Sequence, residues 1–194
     1  MRVKWSAAQK LLHDDTHRFQ YLKKGRRFGA TTFKAQQLSL KAFEGGKFLW
    51  VETNHRNIIR YVERMFLPFL KQFPKGTCKW NKQDKVLRIG GGLIDFGSAE
   101  APEAMEGEGY DEIFLNEAGI ILDGDQGTYL YFNVLLPMLA DSAGSRLSAY
   151  GVPKGENLFA DLLDDAEKDP NSIVFQFTGF DNPFIDHDLS LIHI

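Results

Sequence analysis

Apolar residues along this chain follow two rhythms. Compact runs the length of a strand occur at 19–22 (Phe19, Tyr21, Leu22), 47–52 (KFLWVE), 112–115, 146–150 and 172–177. Between them the spacing turns helical. Residues 31–44 place Ala35, Leu38 and Ala42 on one face, and Gly45-Gly46 closes that helix. Thr53-Asn54 offers a cap for a helix over about 55–73, with Ile58, Val62, Phe66 and Phe69 inward and Pro68 expected to kink or shorten it. Further helices are predicted over 129–140 and 156–168, and a short polar one over 5–18. Strands alternating with helices predict an α/β fold, a mainly parallel central sheet flanked by helices on both faces. Three short pieces at 77–80, 85–89 and 93–97, the last two joined through Gly90-Gly91-Gly92, read as an antiparallel hairpin insert or sheet edge. Residues 98–110 are acidic and contain glycine, so a loop is expected there.

Composition narrows the class. With 194 residues, 43% hydrophobic and 13% aromatic, the chain suits one domain with a sizeable core and excludes a disordered one. The net charge of −3 conceals a division. Residues 1–80 hold 17 basic and 5 acidic side chains, a balance of +12, and residues 81–194 hold 6 and 21, a balance of −15. That asymmetry fits a polyanion partner or an oppositely charged neighbouring subunit, and it equally fits a fold that interleaves the halves. Arg56, Arg60 and Arg64 form a ridge that suits either a solvated face or DNA phosphates. The single cysteine, Cys78, excludes an internal disulfide and fits an intracellular protein. No leader is expected from MRVKWSAAQ, and no run approaches the roughly 20 apolar residues of a membrane span. His13 and His17 have only Asp14 and Asp15 nearby, so no metal site is expected on them. The last six residues, LSLIHI, match the in-frame translation of a transposon-derived sequencing adapter. They are left out of fold reasoning, and the natural chain is expected to continue past about Asp188.

Candidate chemistry begins at KKGRRFGATT, a glycine-containing turn between a strand and a helix. In a phosphate loop G-x-x-x-x-G-K-[ST], backbone N–H groups and the helix N-terminus face the phosphates, a lysine reaches the outer ones, and a hydroxyl holds Mg²⁺. Here Lys24 occupies the first glycine position, Gly29 the second, Ala30 the lysine position and Thr31 the hydroxyl. Ala30 carries no charge, so a cation for the phosphates is left to Lys24, Arg26 or Arg27 in the same turn, an arginine also being suited to stabilise charge during transfer. The second element is IFLNEAG, a buried strand ending in Asn116-Glu117. Glu117 stands where a water-activating base belongs, and Asn116 puts an amide where a magnesium-side acid is usual. Alone, the loop also suits a basic turn without ligand, and the strand an edge with a polar end. Together and in this order they point to nucleotide hydrolysis.

Four stretches resemble the ATPase domain of the large terminase subunit, the DNA-packaging motor of tailed bacteriophages. KGRRFGATTF (24–33) is similar to its phosphate loop, in the variant with the lysine at the loop's start. GEGYDEIFLNEAGII (107–121) is similar to its acidic-strand segment, AYGVPKGENLF (149–159) to its coupling motif, and FDNPFI (180–185) to the close of the domain. The resemblance covers about residues 5–188 and implies an additional-strand P-loop NTPase fold over 1–188. It implies ATP bound by Lys24, Gly25, Arg26, Arg27, Phe28, Gly29, Ala30, Thr31 and Thr32, with Trp5 and Gln9 at the adenine. It implies Mg²⁺ at Thr31 and Asn116, and coupling through Gly151, Val152 and Pro153. Partners implied are double-stranded DNA, a portal protein, a small terminase subunit and further copies in a ring, in the host cytoplasm and without a membrane. The family's nuclease domain is not expected within these residues. A helicase-like P-loop ATPase, or a nucleotide-binding module that no longer hydrolyses, are the alternatives.

Overall fold

The structure, a computed structural model, describes residues 3–105, 109–140 and 144–185; the adapter-like hexapeptide and Asp188 lie outside them. Strands β1 (Phe19–Lys24), β2 (Lys47–Glu52), β3 (Cys78–Asn81), β4 (Val86–Ile89), β5 (Gly92–Ser98), β6 (Glu112–Asn116), β7 (Arg146–Gly151) and β8 (Ser172–Phe177) form one sheet. Their order is β3-β4-β5-β2-β6-β7-β1-β8. Pairing is parallel from β5 through β8 and antiparallel from β3 to β5, so the hairpin is an edge of the main sheet. Strand β7 lies between β1 and β6, which is the additional strand of the expected P-loop fold. Chain order and spatial order part here, creating a crevice beyond the carboxyl ends of these strands.

Alternation along each strand divides the core into two layers. Leu22, Trp50, Phe114 and Tyr150 face helix α2 (Ala30–Phe43), where they meet Phe33 and Leu38, and helix α3 (His55–Tyr61) through Ile58. Tyr21, Leu49, Val51, Ile113, Leu115 and Ala149 face the other way, against Leu130, Val134, Leu139, Phe159 and Leu163. Trp50 is fully buried, with ring centroids of Phe114 and Phe66 at 4.5 and 5.0 Å. Truncating it to Ala would cost about 3–5 kcal/mol.

Helix α1 (Ala7–Asp14) is shorter than the 5–18 expected: a capping box between Ser6 and Gln9 sets its start, and Asp15 turns to extended backbone at its end. The 55–73 helix is interrupted as Pro68 demands, with a physical detail the pattern did not carry. Val62–Phe66 forms a π turn, Leu67 N–H reaching Val62 C=O, before α4 (Leu67–Leu70) resumes with the proline in its first turn. Proline has no N–H and its ring collides with the carbonyl of residue i−4, so the hydrogen-bond register slips just upstream. The same device recurs before Pro137. After α5 (Ala118–Ile121), helix α6 (Gly124–Tyr129) passes through a π turn at Leu130–Leu135 into α7 (Leu136–Ala140). That helical run starts five residues ahead of the 129 expected. Helix α8 (Leu158–Ala166) completes the second layer. The 98–110 stretch is not all loop, since β5 runs to Ser98 and Pro102–Met105 form a 3₁₀ turn.

The oppositely charged halves interleave. Strands β1 and β2 come from the basic half and β6, β7 and β8 from the acidic half. Ion pairs join them at Lys24–Glu117, Lys41–Glu112 and Arg146–Asp15. Among the described residues, no helix is long and apolar enough to cross a membrane.

Candidate functional site

The carboxyl ends of β1, β7 and β6 converge on one cavity of about 520 Å³. Its walls include Lys24 through Thr32, Glu117 and Val152, so the phosphate-loop stretch, the strand-end acid and part of the coupling turn share a space. Gly29 ends the loop in a left-handed conformation (φ 83°), which a residue without Cβ adopts readily, and it caps α2 without any side-chain hydrogen bond. Helices α1, α3 and α8 are capped by Ser6, Asn54 and Asn157. The first amides of the fourteen-residue α2 are thus left facing the cavity mouth, an arrangement suited to an anion.

Three non-glycine residues among those described have positive φ, and two of them are in this site: Arg27 (66°) and Glu117 (71°). Such backbone is costly for a side chain with a Cβ and persists where surroundings impose it. Glu117 is held by its amide, which donates to Tyr150 C=O at 2.9 Å on β7. The turn brings its carboxylate to Lys24, whose Nζ donates to Oε1 at 2.6 Å across the intervening strand. Arg26 and Arg27 are exposed at the rim, Thr32 is exposed, and Phe28 is buried against Phe177 (5.2 Å, stacked). Phe28 and the buried Ala30 therefore pack as core beneath the loop.

Behind the loop, Thr31 Oγ1 donates to Asn116 Oδ1 at 3.1 Å. Asn116 Nδ2 donates to Glu52 Oε1 at 2.6 Å, and Trp50 Nε1 donates to the same oxygen at 2.7 Å. Glu52 ends β2, next to β6, and is wholly buried; its Oε2 makes no hydrogen bond among the described residues. Burial, helped by the Glu117 charge, pushes its carboxyl up to about 7 against the lowering by Trp50, Asn116 and the nearby Thr53 backbone N–H. No group of three or more His, Cys, Asp or Glu gathers among the described residues. His17 pairs with Asp15 and His13 with Gln37. A hydroxyl, an amide oxygen and one buried acid behind them nonetheless fit Mg²⁺, which keeps several waters and takes phosphate oxygens rather than an all-protein cage.

Around the loop, Gln9 Nε2 donates to Phe28 C=O at 3.4 Å while its Oε1 accepts from Ser6 N–H. Trp5 Nε1 donates to Gln36 at 3.0 Å, and both Trp5 and Gln9 border a separate cavity of about 250 Å³ beside Gly29. Asn182, from the FDNPFI stretch, donates to Arg27 C=O at 2.9 Å and so ties the chain after β8 to the loop. Gly151 ends β7 and Val152 and Pro153 follow it, with Val152 exposed. A Cβ on Gly119 would lie 2.0 Å from the Val152 carbonyl oxygen, so only glycine permits α5, which follows Glu117, to touch this turn.

No protein-family model and no curated protein matches this chain. Solved structures do. The Thermus phage P74-26 large terminase ATPase domain superposes with a TM-score of 0.74 at 16% identity, over 90% of this chain and 81% of that one. The large terminase of a thermophilic bacteriophage, solved in complex with ADP, gives 0.76 at 14%, over 98% and 49%. The HK97 bacteriophage large terminase gives 0.70 at 16%, over 91% and 39%. The fold is that of the large terminase ATPase domain. This chain spans about half the length of the ADP-bound terminase and less of the HK97 one. Within the terminase ATPase fold, two residues of the site escaped the sequence reading. Asn182 lies within FDNPFI, where nothing in the local sequence gives it a role. Glu52 carries a signal in the sequence, a carboxylate ending a strand that is apolar from Phe48 to Val51.

Proposed function

We propose that this chain is the ATP-hydrolysing motor domain of a phage large terminase, coupling Mg²⁺-dependent ATP hydrolysis to packaging of double-stranded DNA into a procapsid. The observation that carries the reading is the Lys24–Glu117 contact across β7, because it joins the phosphate loop to the strand-end acid in one cavity. The free amides at the start of α2 and the Lys24 ammonium bind the β- and γ-phosphates. Phosphate oxygens compete for Lys24, and its withdrawal leaves Glu117 free to orient the attacking water and take its proton. Arg26 or Arg27 stabilises charge as the phosphoryl group transfers. Thr31 and Asn116 hold Mg²⁺, which when bound neutralises charge on the outer phosphates. Trp5 and Gln9, bordering the neighbouring cavity, flank the adenine. The turn at Gly151, Val152 and Pro153, packed on Gly119, passes any shift of Glu117 to α8, since Asn157 both caps α8 and donates to Gly119 C=O at 3.0 Å.

On the same reading the motor works in the host cytoplasm as a ring of copies on a portal protein, with a small terminase subunit. The exposed ridge of Arg56, Arg60 and Arg64 meets DNA phosphates. Steady-state ATP turnover with and without duplex DNA tests the assignment. Turnover raised by duplex supports it. Turnover raised only by single strands makes the chain helicase-like, and nucleotide binding without turnover makes it a module that no longer hydrolyses.

A further inference from the structure

Strand β6 offers an amide where a nucleotide-bound cation calls for an acid, and the nearest buried acid stands one strand away. Asn116 and Glu52 lie on the same face of adjacent parallel strands, both wholly buried, joined at 2.6 Å. A carboxylate only accepts hydrogen bonds, so the NH₂ of Asn116 must turn toward Glu52. The amide oxygen is thereby forced the other way, toward Thr31, where it accepts the hydroxyl proton at 3.1 Å. A threonine hydroxyl has one proton and two lone pairs. With its proton committed to Asn116, Thr31 keeps its lone pairs for a cation in the cavity.

We propose that Glu52 is the positioning residue of the cation site, supplying through Asn116 the acid that β6 lacks. The proposal rests on the nucleotide reading given above. Trp50 fixes Glu52 in turn, donating to the oxygen that also receives Asn116. The other carboxylate oxygen is buried and, among the described residues, makes no hydrogen bond. Buried polar atoms left in that state are rare in folded proteins and call for an explanation. Negative charge drawn onto Glu52 by a cation, and directed at that cation through the amide, is such an explanation.

The test is the Mg²⁺ concentration at half-maximal binding of a fluorescent ATP analogue to the whole chain, read without turnover, together with binding in EDTA. Glu52→Gln should raise the Mg²⁺ midpoint by roughly 10–100-fold, the range for partners that orient metal ligands, and leave binding in EDTA unchanged. Asn116→Asp alone sets two carboxylates against each other and should lose thermal stability. The double exchange Glu52→Gln with Asn116→Asp reverses the polarity of the inter-strand hydrogen bond and moves the charge to Thr31. It should return the midpoint to within about threefold of the parent, well short of the shift expected for the single exchange. That outcome decides the matter even if Glu52→Gln melts early. An unchanged midpoint in Glu52→Gln, or equal losses with and without Mg²⁺, overturns the proposal while the nucleotide reading stands. A parent chain that binds no nucleotide under either condition overturns both.

Discussion

One face of β6 carries a buried acid system at each end, and the two are built on opposite plans. At the start, Glu112 is wholly buried and completely satisfied: Lys34 Nζ and Ser148 Oγ donate to Oε1, and Lys41 Nζ donates to Oε2 at 3.0 Å. Burial would raise its pKa, but the two ammonium groups more than offset this and hold the carboxyl well below the usual range. At the far end, two residues past Phe114, Asn116 leans on Glu52, which among the described residues has no cation partner and an oxygen without a hydrogen bond, and whose carboxyl is pushed upward by burial. Helix α2 spans both ends, Thr31 over Asn116 and Lys34 over Glu112. A buried charge with every partner present holds the fold together. One that lacks a partner marks a candidate site for a ligand.

Substitutions should separate the two ends cleanly. The largest effect belongs to the open end. Glu117→Gln should lower ATP turnover by roughly 10²–10⁴-fold with nucleotide affinity retained, since an amide keeps the shape but takes no proton. Single-turnover and binding measurements on one preparation check it; wild-type turnover removes Glu117 from the chemistry. The closed end should answer in stability instead. Glu112→Gln strands a buried ammonium and should cost about 3–5 kcal/mol in urea unfolding, with the nucleotide affinity of the folded fraction unaltered. If Glu112→Gln weakens affinity while leaving the unfolding midpoint alone, the division between the ends fails.

Lys24→Ala sharpens the picture at the open end. Losing a charged donor to phosphate is worth about 1.5–3 kcal/mol, so nucleotide affinity should fall roughly 10–100-fold, whereas Arg26→Ala or Arg27→Ala should chiefly slow turnover. Titrating the fluorescent analogue distinguishes these, and undiminished binding in Lys24→Ala excludes the displaced lysine. The smallest effect is in acid. Glu112 has a folded pKa below its ordinary 4.5, so the unfolded chain takes up the proton first as pH falls. Its stabilisation is complete above about pH 4.5 and disappears below, by at most about 1.4 kcal/mol per pH unit per proton. Asp15 acts in the same direction: its burial raises, but hydrogen bonds from His17 and Gln20 together with Arg146 bring its pKa below 3.8. Urea midpoints at pH 6, 4 and 3 should show the decline, and Glu112→Gln should flatten it.

Periodicity and turn chemistry by themselves determined most of the fold. The buried strands, the helices between them and the hairpin edge all follow from local rules, because apolar spacing, caps and glycines act within a few residues. The loop at 24–32 and the acid at 117 were legible for the same reason, each being a short stretch in a known strand-to-turn context. Which strands stand side by side was not written locally. The insertion of β7 between β1 and β6 decides that Lys24 and Glu117, 93 residues apart, meet at 2.6 Å. The tertiary fold also interleaves the divided charge, setting strands from the basic and acidic halves side by side in one sheet. Glu52 marks the boundary. Its position at the end of an apolar strand was in plain sight, but a carboxylate's role depends on what is beside it when water is gone. Only the pairing of β2 with β6 put Asn116 there.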